Sequence, residues 1–113
     1  MATLKELKDK IGLKVLNRKI EDDREIADAY VCDLLSWVMA NGKPNMAWVT
    51  VQTHLNVVAV ASLHDFACII VPEDIEVPGA TVAKAEEESI AVFTTDKTAY
   101  QVCCELFSLG IGE

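Results

Sequence analysis

Apolar positions in this chain fall into short blocks divided by polar turns, and the spacing inside the blocks switches between helical and strand periods. Leu4, Leu7 and Ile11 share one helical face behind Thr3, with Glu6 three residues after it. That pattern predicts a first helix opened by a capping box and closed at Gly12. Leu13 to Leu16 predicts a short strand, and the polar run Asn17 to Arg24 a surface loop. Ile26 to Val31 predicts a second strand. Asp33 is then placed to cap a helix carrying Leu34, Leu35, Trp37 and Val38, which Asn41-Gly42 stops with Pro44 just beyond. Met46 to Gln52 is β-branched and aromatic at its centre and predicts a third strand.

After it, Val57 to Val60 alone would fit a strand as well as a helix. The length of the apolar run to Leu63 and Asn56 as a cap favour the helix. Ala67 to Val71 is continuously apolar, the pattern of a parallel strand buried on both faces. An acidic loop, Pro72 to Pro78, leads to a helix over Ala80 to Ser89 that closes on three glutamates, a poor match to the helix dipole. Ile90 to Thr94 predicts the last strand. Asp96 can cap a closing helix with Ala99, Val102, Cys103, Leu106 and Phe107 as its inner stripe, stopped by Gly110.

The alternation of strands and helices implies an α/β fold: a small three-layer domain with a mainly parallel sheet of four to five strands. At 113 residues the chain fits one domain, residues 1–113, with a core of its own. Ligands in such folds favour the carboxyl ends of the strands. Two stretches fall there, Thr50 to Asn56 and Thr94 to Asp96.

Composition narrows the function classes. An apolar share of 51% excludes a disordered chain. No apolar run approaches the roughly 20 residues that span a bilayer, and the mixed-charge start MATLKELKDK lacks a secretory h-region, so a soluble cytoplasmic protein is expected. A net charge of −8 argues against a nucleic-acid binder. The acidity concentrates at Glu73, Asp74, Glu76 and Glu86 to Glu88, read as a solvated face. Cys32, Cys68, Cys103 and Cys104 form no CxxC pair and sit in apolar contexts, which predicts reduced core residues and no zinc. No metal or cofactor is expected. No GxGxxG or GxxxxGK[ST] is present, so a glycine-rich phosphate loop is excluded.

The candidate chemistry is a polar turn. Gln52, Thr53, His54 and Asn56 crowd the junction of a strand and a helix, with Thr50 leading in. Asp33 and Ser36 at the start of one helix, and Thr94 at another strand end, could add to it. His54 can donate to or accept from a polar ligand, but no nucleophile is paired with it by any motif. His64 suits a structural role at a helix C-terminus. Trp37 and Trp48 are read as core, with a subunit interface as the alternative for one of them.

Asp23-Arg24, YVCDLLSWVM and WVTVQTHLNVVAVASL together resemble the DRTGG domain family, over about Leu4 to Gly110. The Thr-Val-Gln-Thr-His-Leu-Asn stretch carries the likeness most specifically. The chain is most similar to short stand-alone members, and to the region preceding the catalytic domain of HPr kinase/phosphorylase. The eponymous motif has drifted: after Asp23 and Arg24 its Thr-Gly-Gly is gone, and Ala27, Asp28 and Ala29 bring no glycine. The resemblance implies a fold akin to the N-terminal domains of HPr kinase and of Mur ligases. It implies a non-enzymatic accessory role beside catalytic or nucleotide-sensing modules, including CBS-domain pyrophosphatases and phosphotransacetylases. It also implies a homodimer, a small anionic or nucleotide ligand, and a link to hydrogenase or other redox metabolism. The alternative function is a protein–protein interaction module of a redox enzyme complex, using Glu86 to Glu88. An enzyme with His54 as acid/base stands third.

Overall fold

The computed structural model describes residues 1–112. Five strands form one sheet: β1 (Lys14–Val15), β2 (Asp28–Val31), β3 (Met46–Val49), β4 (Cys68–Val71) and β5 (Ala91–Thr94). Their order across the sheet is β1-β5-β4-β3-β2. β2 to β5 are parallel, and β1 alone runs antiparallel, with Lys14 opposite Thr94 and Val15 opposite Phe93. Five helices accompany them: α1 (Leu4–Asp9), α2 (Leu35–Asn41), α3 (Asn56–His64), α4 (Gly79–Glu88) and α5 (Ala99–Ser108). The expected small α/β domain with a mainly parallel sheet is what the chain adopts. No helix among the described residues is long and apolar enough to cross a membrane.

The three layers follow from the strand order. From β2 to β5 the chain steps always in the same direction, so right-handed crossovers put α2, α3 and α4 on one face. One core cluster reflects this: Val38, Val57, Val58, Val60, Ala61 and Ala85 pack on Met46, Trp48, Ile69, Val71 and Val92. The alternate strand residues, Ala47, Val49, Cys68, Ile70, Ala91 and Phe93, face α1 and α5 through Leu4, Leu7, Val102 and Leu106. β3 and β4 are buried at every position, as strands covered on both faces must be. Trp48 is fully buried, meets Phe66 edge-on at 5.7 Å and donates its indole N–H to Cys32 O at 2.8 Å.

Several local expectations are corrected. Thr3 precedes α1 but its hydroxyl caps nothing, because the helix's first N–H groups are taken by loop carbonyls: Leu4 N donates to Arg24 O and Lys5 N to Asp22 O. Glu6 instead pairs with Lys10 at 3.1 Å, which lowers its pKa from the ordinary carboxylate value. The closing helix is capped by Thr98, not Asp96, and there the capping box does form, with Gln101 as the reciprocal partner. Phe107 is 61% exposed rather than part of the inner stripe. Of the cysteines only Cys68 is in the core; Cys32 and Cys103 are half-buried and Cys104 is exposed.

The polar run after β1 is no simple surface loop. Asn17 is buried, donating Nδ2–H to Ile90 O at 2.8 Å and accepting from Val92 N–H at 2.7 Å. Its amide thus extends the β1–β5 ladder by one side-chain rung. Beyond it the chain must pass from one sheet edge to the other, about 19 Å at four strand spacings. It does so along the amino ends of the parallel strands, held halfway by Arg24. The Arg24 guanidinium donates to Asn45 Oδ1 at 3.0 Å and Asp65 O at 2.7 Å, just ahead of β3 and β4. Asn45 and Asp65 both sit in left-handed backbone.

Candidate functional site

At the carboxyl end of β3 the chain makes the polar turn. Thr50 is almost fully buried, and its hydroxyl donates to Asp33 Oδ1 at 2.8 Å. The Val51 N–H donates to the same oxygen at 2.9 Å, and Gln52 Nε2–H to Asp33 O at 3.1 Å. Asp33 is therefore not the helix cap expected of it. Leu34 holds the N-cap position of α2 with no side-chain bond, because the Asp33 carboxylate already has two donors on the neighbouring strand end. It fastens the exit of β2 to the exit of β3.

Asn56 is not the cap of α3 either; Leu55 precedes the helix, in helical backbone. The first N–H of α3, that of Asn56, donates to His54 Nδ1 at 3.1 Å, and Val57 N donates to His54 O. An acceptor at Nδ1 puts the proton of a neutral ring on Nε2, which makes no hydrogen bond within the described residues. Thr53 O accepts the Thr81 hydroxyl proton at 2.6 Å, so α4 is tied to the turn one turn from its own start. Thr81 is buried, and the sequence reading missed it. A threonine among alanines near a helix start was the available signal.

The structure thus joins Asp33, Thr50 and Gln52 by direct bonds and sets Thr53, His54 and Asn56 beside them on one contiguous turn. It does not bring in the other two candidates. Ser36 is exposed on α2 with no side-chain bond, and Thr94 sits on β5, two strands from β3. His64 holds Met39 O at 2.7 Å and stacks on Phe66 at 5.5 Å, a packing role.

Two further features shape this edge. Because α2, α3 and α4 share a face, adjacent strand exits diverge to opposite faces only at β4 and β5. A crevice suited to a ligand would open there, but Glu73 N bonds Lys97 O and Asp74 N bonds Thr95 O, both at 2.8 Å, and stitch it shut. The start of α4 is open instead. Its N-cap is Pro78, which supplies no side-chain acceptor, and neither the Gly79 nor the Ala80 N–H has a partner within the described residues. Uncommitted donors at a helix start favour an anion.

The Asp23-Arg24 pair lies at the opposite edge, where Arg24 has the stitching role given above and Asp23 is exposed. Nothing from Glu25 to Ala29 adopts positive φ. β2 simply starts there, so the missing glycines cost this backbone no conformation it needs.

No family model matches the chain, and no curated protein does. Among solved structures it is similar to the CBS and DRTGG domains of the regulatory region of Clostridium perfringens pyrophosphatase, determined in complex with the activator diadenosine tetraphosphate. The TM-score is 0.73 at 13% identity, over 90% of this chain and 44% of that one. The two share a fold, and this chain spans less than half of that structure.

Proposed function

We propose that this chain is a non-enzymatic regulatory domain of the DRTGG kind, binding a small anionic or nucleotide ligand at the carboxyl edge. The site is the turn Thr50 to Asn56 together with the start of α4. The observation that carries this reading is a set of donors without acceptors. Within the described residues His54 Nε2 and the Gly79 and Ala80 N–H groups have no partner, while the scaffold beneath them is fixed by Asp33–Thr50 and Thr81–Thr53. The likeness to a regulatory region bound to a nucleotide activator supports the ligand class. Within the described residues the His54 ring bonds only the Asn56 N–H.

Thermal denaturation with diadenosine tetraphosphate, ATP and inorganic phosphate tests it. Binding at a hundredfold excess over Kd stabilises by about 2.7 kcal/mol. The reading expects a nucleotide-dependent rise in Tm that His54→Ala removes and Thr81→Val reduces. No rise, or the same rise in His54→Ala, refutes it.

A second reading, self-association, has its own observation. Val31, Leu34 and Trp37 are 50%, 63% and 57% exposed beside the open β2 edge. α2 carries no charged residue, so two copies of an acidic chain could meet there without opposing charges. Light scattering showing a dimer that Trp37→Glu dissociates supports it; a monomer at tens of micromolar removes it.

A further inference from the structure

β2 is the outer strand at the end of the sheet opposite β1. One bond shows which of its backbone groups look outward. Val31 is opposite Val49, and the Cys32 N–H reaches Val49 O at 3.4 Å. Backbone groups alternate sides along a strand, so Tyr30 and Cys32 turn theirs to β3, and Ala29 and Val31 turn theirs to the open edge. The Ala29 N–H is already closed off there, because it donates to Asp28 Oδ1 at 2.8 Å. Ala29 O and both Val31 groups are left as a template for a further strand.

This edge has an apolar shoulder on each face. On one face α3 packs beside α2 and α4 beside α3, so α2 is the outermost helix and its Leu34 and Trp37, one turn apart, are exposed. On the other face α5 reaches β2, and the chain just past its end comes up to the Asp28 side chain. Glu105 marks the far flank of α5: it binds Lys97, whose ammonium also holds Ile11 O at the end of the segment leading into β1. At 3.6 residues per turn, Tyr100 and Phe107 project about 140–160° away from Glu105, toward the β2 side. They are 79% and 61% exposed. Val31 shares their face, since Ala29, two residues before it, packs in the α1–α5 core. An aromatic side chain carries about 150–250 Å², so Trp37, Tyr100 and Phe107 together expose roughly 300–500 Å². Val31, Leu34 and the strand itself bring this toward the ~800 Å² that each partner contributes to a stable complex. None of these side chains is charged, so here two copies of a chain of net charge −8 meet with least repulsion.

We propose that the occupant of this edge is a second copy of the chain, β2 antiparallel to β2 about a two-fold axis at Val31, so that two sheets become one. The proposal rests on the self-association reading above and adds the register to it. A two-fold interface uses the same patch twice and must be self-complementary. Pairing Ala29 of one copy with Val31 of the other calls on the Ala29 N–H twice, and Asp28 holds both. Pairing Ala29 with Ala29 meets the same obstacle. Pairing Val31 with Val31 lets each N–H donate to the other's carbonyl and uses only groups that are open. Asp28 therefore selects the register.

Light scattering and disulfide trapping of the full chain test this, with exposed Cys104 changed to Ser in every variant. Val31→Cys puts two thiols beside the axis. Cα atoms of a hydrogen-bonded antiparallel pair are about 5.5 Å apart, inside the ~4.4–6.8 Å range of a disulfide. In the register shifted toward Ala29 the two Val31 positions are diagonal neighbours at about 7–8 Å, outside it. The proposal expects a dimer at tens of micromolar, and Val31→Cys chains that oxidised glutathione links in pairs. Adding Asp28→Ala frees the Ala29 N–H for the shifted register and should slow linking at least about fivefold, the factor one net hydrogen bond is worth. A monomer overturns the self-association reading and the proposal with it, leaving the edge to a different chain. A dimer in which Val31→Cys does not link, or links as fast with Asp28→Ala, overturns the register alone and leaves self-association standing.

Discussion

Asn17 offers the sharpest test of how this sheet is held at its β1 edge. Asn17→Ala removes two buried hydrogen bonds at once, leaving Ile90 O and Val92 N–H without their partner. Each unsatisfied buried group costs about 1–3 kcal/mol. β1 is a short edge strand, so water can reach part of the gap, and the lower half of that range applies. The sum is about 2–4 kcal/mol, a large share of the ~5–15 kcal/mol that stabilises a typical domain. At roughly 4 °C per kcal/mol the Tm should fall by about 8–16 °C. Urea unfolding should show a lower midpoint with an unchanged slope. Asn17→Asp refines the test. A carboxylate can still accept from Val92 N–H, but its other oxygen faces Ile90 O and cannot donate while ionised. That contact raises the folded-state pKa above the unfolded one. Stability is then retained below the unfolded pKa and lost as pH rises through the folded one, so the deficit should grow between about pH 4 and pH 7. A loss below about 0.5 kcal/mol in the alanine variant, or a pH-independent deficit in the aspartate variant, would refute the reasoning.

Two more outcomes follow from packing and burial. Gly42 has ordinary φ, but a Cβ there would lie 2.7 Å from Phe66 Cζ and 2.8 Å from His64 Cδ2; Gly12 has φ +66° with open space around it. Gly42→Ala should cost about 1–3 kcal/mol by overpacking and Gly12→Ala about 1 kcal/mol by backbone strain; in melting experiments Phe66→Leu should relieve the first and not the second. Burial pushes the Cys68 thiol well above its ordinary pKa, and burial with neighbouring Cys104 raises Cys103. Iodoacetamide at about pH 8 should therefore label exposed Cys104 first and Cys68 only on unfolding; mass spectrometry showing equal native rates would contradict this.

What the sequence made legible was whatever depends on local pattern. The continuous apolar runs at 46–49, 68–71 and 90–93 become interior strands, and burial on both faces accounts for them. Side chains whose partners are distant were not legible. Asp33 reads as a cap, since nothing local shows that Thr50 and Val51 will arrive as donors. Asn17 reads as solvent-facing, since its partners lie 73 and 75 residues away. The same capping signature occurs at Thr3–Glu6 and Thr98–Gln101 and forms only at the second. At the first, loop carbonyls from Asp22 and Arg24 reach the helix start before a side chain is needed. At the candidate site the turn itself was visible, whereas Thr81 and the open start of α4 depended on which helix packs beside it.

The placement of β1 has a consequence for the order of assembly. β2 to β5 form a chain of neighbours, each one helix from the next, and can zip together as they are made. β1 can pair only with β5, the last strand to be synthesised. Within this domain residues 1–17 are made before the strands they join, so α1, β1 and the crossing segment wait while the rest of the sheet assembles. Arg24 cannot make its bonds until the turns before β3 and β4 exist to receive it. The amino edge of the sheet therefore closes only after the strands it spans have been made.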